Sequence, residues 1–283
     1  MDFTRRAMLG AMGGLAVGGS IAAMSGNVIA APAAPEMSGG KDGLFDQQYG
    51  LFGWKAHKID DIAGAMDVAY KGYWYKGLGC GYGAFYAIVH DMAKKHGAPY
   101  NTFPYSIMEM FKGGFGDWGT ICGALAGAGA AFSLFYGRKE SKPMVAELFR
   151  WYEKTAFPIY NPGEAAQGFK GDLPTSVSNS VLCHISVSRW SYETKIPANS
   201  KQRSERCGRI TADVVKKAIE ILNAKIDAGK DWKGAMGKQE SVTQCGACHS
   251  KGKMSDIAKG NMDCTPCHSG NEHTGNKFEN HPA

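Results

Sequence analysis

The 283-residue sequence has no run of about 20 strongly apolar residues, so nothing in it reads as a membrane-spanning helix. It also lacks a basic stripe. Its 32 Lys and Arg and 26 Asp and Glu are scattered, and a formal charge of +6 builds no nucleic-acid surface. Alternating strand runs bounded by hairpin turns are missing, which turns the expected fold class to all-α. No phosphate loop, evident nucleophile or dyad of general acid and base stands out. Charged residues make up only 20% and apolar residues 44%, a balance that excludes a disordered chain. Glycine is plentiful, with 38 residues, and there are eight cysteines. The length suffices for one large domain with an appendage.

Residues 1–34 read as a targeting segment. Arg5 and Arg6 precede a run of Gly, Ala, Met and Leu, which ends in small residues from Val28 to Ala34 where A-x-A-like cuts are available. The pattern resembles the twin-arginine export signal, which implies a bacterial periplasmic location with no membrane insertion once the signal is removed. Loss of residues 1–31 takes away Arg5, Arg6 and Asp2 and leaves a formal charge of +5. Eight cysteines in an oxidising compartment are open to a four-disulfide reading, so spacing must decide.

Two spacings are specific. Cys245-Gly246-Ala247-Cys248-His249 and Cys264-Thr265-Pro266-Cys267-His268 each follow C-x-x-C-H, the attachment pattern of c-type haem. Two thiols one helical turn apart reach the two vinyl groups of one porphyrin as thioethers, and the following imidazole binds the iron from below. The paired cysteines also fit a four-cysteine zinc ribbon, but a ribbon does not need a histidine after each pair. A disulfide-exchange motif would call for a surrounding βαβ pattern, which is absent. For the sixth ligands the candidates are His273, His281 and, from outside the segment, His57. Five extended residues span about 17 Å, so His273 suits the other motif's haem better than its own, while His281 reaches either. Residues 236–283 hold few apolar side chains and cannot build a core alone; the expectation is an irregular segment organised around its haems.

Residues 35–235 read as a glycine-rich helical domain. Apolar residues recur every three to four positions over 60–76, 78–95, 119–136, 142–154 and 203–225. Pro and Gly break the pattern at 97–99, 113–116 and 158–174, and Gly229–Gly237 links this domain to the haem segment. Cys80, Cys122, Cys183 and Cys207 lie within it. Cys80 and Cys122 sit among glycines at helix starts, where backbone can approach an inorganic cluster and the helix dipole favours thiolate. A shared metal–sulfur site, two disulfides, or buried small residues all fit this spacing.

The stretches Gly77-Leu78-Gly79-Cys80-Gly81-Tyr82-Gly83 and Trp118-Gly119-Thr120-Ile121-Cys122-Gly123-Ala124-Leu125-Ala126-Gly127, followed by Leu182-Cys183 and Arg206-Cys207, resemble a bacterial family of redox-active proteins. That family is named for a C…GCAxxG…C…C pattern; here Gly123 intervenes between Cys122 and Ala124. With two haem motifs appended, the chain resembles the split-Soret branch of the cytochromes c, whose members are periplasmic, dimeric electron carriers. The resemblance implies that Cys80, Cys122, Cys183 and Cys207 are iron–sulfur ligands for a [2Fe-2S] or [4Fe-4S] cluster. It also implies that the haems lie close together near a homodimer contact. The expected function is multicentre electron transfer with two haems c and one iron–sulfur cluster, without enzymatic activity. The alternative is a small reductase with an open haem coordination site, which a high-spin haem would mark. A zinc- or disulfide-stabilised binding protein is a third reading, which haem colour retained on the denatured polypeptide would exclude.

Overall fold

Ile62–Trp74 forms α1, started by Asp61, whose carboxylate accepts the Gly64 N–H at 2.8 Å. A single 3-10 turn over Tyr75–Gly77, with Lys76 and Gly77 at positive φ, reverses the chain into α2, Gly79–His96. The two helices touch backbone to backbone, because a Cβ on Gly83 would stand 2.6 Å from the Ala69 carbonyl oxygen. That contact explains why glycine is retained inside α2 despite its helix-weakening entropy. The computed structural model describes residues 54–254, 256, 260–266 and 268. The targeting segment 1–34, Cys267, His273 and His281 lie outside them.

After α2, 3-10 segments at Tyr100–Thr102 and Tyr105–Phe111 lead through a glycine-rich turn to α3, Gly123–Lys154. This element is a hairpin, not a rod. Gly137, at φ 63° and ψ 175°, interrupts it between arms 123–136 and 138–154. The arms fold back so that Ser133 and Ser141 hydroxyls lie 3.3 Å apart. The periodicity over 119–136 and 142–154 correctly marked two runs. Then come α4, Cys183–Thr194, and α5, Lys201–Ala228, whose start is capped by Ser200 accepting from Arg203 N–H at 3.1 Å. In α5, Ile210, Val214, Val215, Ala218, Ile219 and Leu222 are buried. The helix packs against α1, α2 and α3 in the common core. The chain is mostly helical, as its periodicity requires.

The described sheet is minimal. β1, Ala156–Phe157, pairs antiparallel with β2, Ser176–Val177, and closes the base of the 158–174 loop. That Pro- and Gly-rich loop is tied down by buried acids on α5. Asp213 accepts the Ile159 and Tyr160 N–H groups at 2.9 and 2.8 Å. Glu205 accepts from Gly168 N–H and from the Tyr70 hydroxyl, while Arg209 pairs with Glu205 and donates to the Phe169 and Gly171 carbonyls. The haem segment is not wholly irregular: Glu240–His249 forms α6, ten residues carrying Cys245, Cys248 and His249. None of the described helices is long and apolar enough to cross a membrane.

Candidate metal centre and haem attachment sites

Three of the four core cysteines stand where helices begin. Cys80 is the second residue of α2, Cys122 the residue capping α3, and Cys183 the first of α4; Cys207 lies within α5. A short antiparallel bridge between Ile121 and Leu182 brings two of them together. Across it Cys122 N–H donates to Val181 at 2.8 Å and Cys183 N–H to Thr120 at 2.6 Å. Cys80 joins them because α2 presses on the 105–111 segment. A Cβ on Gly81 would stand 2.5 Å from Phe111 Cβ, and Cys80 Sγ itself hydrogen-bonds the Phe111 carbonyl at 3.6 Å. A Cβ on Gly123 would meet Cys80 Sγ at 2.5 Å, so glycine is what leaves room for that sulfur.

All four thiols are free and near enough to act on one another. Burial raises Cys80 well above the ordinary thiol range, and the charges of Cys122, Cys207 and Cys183 raise it further. Burial, then Cys122 and Cys207, pushes Cys183 up to about 12. Cys122 is raised by burial and partly relieved by a hydrogen bond from the Tyr152 hydroxyl. At Cys80, Cys122 and Cys183 the helix starts therefore do not overcome desolvation, and these three thiols stay protonated when empty. Tyr152 reaches Cys122 only because α3 folds back; on a straight helix 30 residues would separate them by about 45 Å.

Among the described residues no group of three or more His, Cys, Asp or Glu side chains is placed to hold a metal ion as it stands. Four sulfurs on a single tetrahedral zinc would lie about 3.8 Å apart. The four thiols act on one another from separate elements, a donor set of four sulfurs that fits an inorganic group. A second feature fits an anionic guest. Arg206 is buried beside Cys183 and Cys207, and its Nε has no hydrogen-bond partner.

The haem motifs are held against the second arm of α3. Met236 N–H donates to Glu147 at 2.7 Å, Arg150 Nε to the Gly237 carbonyl at 3.1 Å, and Gln239 Nε2 to Glu153 at 3.2 Å. The Asp263 N–H also donates to Glu153, and Ser241 donates to Asp263 at 2.7 Å, joining α6 to the second motif. In that motif His268 N–H donates to the Cys264 carbonyl at 2.9 Å, the single turn that C-x-x-C-H attachment requires. Cys245 and Cys264, the first cysteines of the two motifs, are within hydrogen-bonding reach of each other. His57 stacks on His96, with ring centroids 3.8 Å apart, and meets Tyr100 edge-on. Sequence reasoning passed over Tyr152, Ser186 and Arg206, whose polar ends are turned into the core beside the cysteines.

Residues 82–221 match the family described as "Putative redox-active protein (C_GCAxxG_C_C)". The match spans Cys122, Cys183 and Cys207 and begins just past Cys80. Split-Soret cytochrome c of Desulfovibrio desulfuricans is 61% identical over 283 residues, covering 100% of both chains. The chain belongs to the split-Soret cytochrome c family. A solved structure of the split-Soret cytochrome c from D. desulfuricans ATCC 27774, described as holding a novel iron centre, has 66% identity and a TM-score of 0.78. The alignment covers 84% of this chain and 99% of that one.

Proposed function

We propose that the protein is a periplasmic electron carrier with two covalent haems c and one iron–sulfur centre. Cys245 and Cys248 would bind one haem with His249 below its iron, and Cys264 and Cys267 the other with His268. Cys80, Cys122, Cys183 and Cys207 would hold the iron–sulfur centre. The metal groups, when bound, supply one-electron redox chemistry. The chain's own residues set the surroundings: glycine-lined helix starts give sulfur room, Cys80 and Cys122 are buried from water, and the Tyr152 hydroxyl stands within reach of Cys122.

The convergence of four cysteines from four different helices, two of them buried and two half-buried, carries this reading. Structural cysteines have no need to gather so closely while remaining unbonded. The relative's iron centre and the Arg5-Arg6 signal support the cofactor and the location. Total iron measured with haem by pyridine haemochrome tests it. Two haems and more than two irons per chain are expected. Iron equal to haem would remove the cluster, and a colourless polypeptide would remove the whole reading.

A further inference from the structure

Arg206 is the exception among the buried cations. Arg209 is paired with Glu205, Arg150 with Glu153, and Lys225 with Glu140. Arg206 is only 1% exposed, yet none of the ion pairs among the described residues includes it. Its Nη2 donates to Ser186 Oγ at 3.1 Å, its guanidinium lies 5.5 Å over the Trp190 ring, and its Nε is unpartnered. Guanidinium does not shed its proton, and an uncompensated buried cation costs several kcal/mol. An anion is the missing partner.

The groups able to become that anion are close. Cys183 lies within the field of Arg206, and Cys207 is its neighbour in the chain. Ser186 Oγ is 3.0 Å from the Tyr152 hydroxyl, which in turn reaches Cys122. Once Cys122 is a thiolate, the two hydroxyls can turn so that donors run from Arg206 through Ser186 and Tyr152 to sulfur. A bound metal takes the protons of the cysteines that ligate it. Arg203, the other nearby cation, touches Cys207 but is half-buried and open to water.

We propose that Arg206 is the resident counter-charge of the four-cysteine centre, a positioning residue that acts on Cys183 directly and on Cys122 through Ser186 and Tyr152. This rests on the iron–sulfur reading above. A fixed cation beside the centre favours the electron added on reduction, so its removal should lower the reduction potential. Lysine in its place keeps the charge.

The test is a redox titration of full-length, haem-loaded protein, following the electron paramagnetic resonance of the non-haem iron in the unsubstituted chain, R206Q and R206K. R206Q should titrate at a lower potential, R206K near the unsubstituted value, and the haem potentials should hold in both. A purely structural role would impair both variants' stability without separating their potentials. An unmoved potential in R206Q, or an equal shift in R206K, overturns the proposal. If R206Q takes up no non-haem iron, native-like loading of R206K upholds the charge, and failure of R206K as well overturns it. Absence of any non-haem iron signal from the unsubstituted protein removes the centre itself, and this role with it.

Discussion

Gly123 is the first residue of α3 and has no positive φ to demand glycine, so the backbone alone would accept alanine there. Sterics do not allow it. The added methyl would overlap the Phe111 carbonyl oxygen and stand 2.5 Å from Cys80 Sγ, and a backbone oxygen cannot rotate away. Gly123→Ala should therefore destabilise the protein by roughly 1–3 kcal/mol, the usual range for overpacking. It should also displace Cys80, lowering iron per haem while leaving both haems attached. Denaturant unfolding with iron and haem assays checks both effects; wild-type stability and iron content would refute the packing argument. Glycines beside Cys80 and Cys122 were a legible signal of this crowding. Arg206 was legible in principle: it lies four residues before Ile210, a cation in register with the apolar stripe of α5. Tyr152 was not, because its place on an apolar stripe is also that of any core tyrosine, and only the fold-back at Gly137 reveals its partner.

Among the elements, α1, α2 and α5 were readable because each buries a broad apolar face, and the hairpin of α3 because its two faces are separately periodic. α4 and α6 escaped notice for a physical reason. In α4 the buried side chains reduce to Ser186 and Trp190, and in α6 to Val242, so tertiary bonds rather than hydrophobic periodicity position them. The 158–174 loop reads from sequence as a long connection; its anchoring depends on acids of α5 that no spacing links to it. Asp213 makes that anchoring pH-dependent. Burial raises its carboxyl from 3.8 to about 6, against the lowering effect of the two N–H donors. Between those values the folded chain holds a proton that the unfolded chain has lost, so stability falls as pH rises from about 4 to about 6. The difference is at most roughly 3 kcal/mol and levels off above pH 6. Asp213→Asn should lack this component. Unfolding free energies across that range should show the Asp213→Asn protein gaining stability relative to the unsubstituted one as pH rises; a constant difference would mean Asp213 is not the titrating anchor.

At the scale of the whole molecule, one helix hairpin would serve both proposed sites: its first residues adjoin Cys80 and Cys122, and Glu147, Arg150 and Glu153 on its second arm grip the chain around the C-x-x-C-H motifs. Bulk charge gives little guidance to a partner, because the four propionates of two haems would bring the exported chain's +5 to about +1. The tail's own stability is where the molecule is exposed to error. Its sequence has few apolar residues, and the thiols of Cys245 and Cys264 act on each other although they belong to different C-x-x-C-H motifs. A sulfur–sulfur bond of about 2.05 Å between them would cross-link the two motifs. An oxidising compartment supplies disulfide oxidants that take one hydrogen from each thiol. Chain exported by cells lacking haem attachment should thus close Cys245 to Cys264 across the motifs. Intact mass should fall by two hydrogens, and digestion should release a peptide pair joined through these residues. Bonds confined within each motif, Cys245 to Cys248 and Cys264 to Cys267, would show that the two attachment sites are not neighbours before haem arrives.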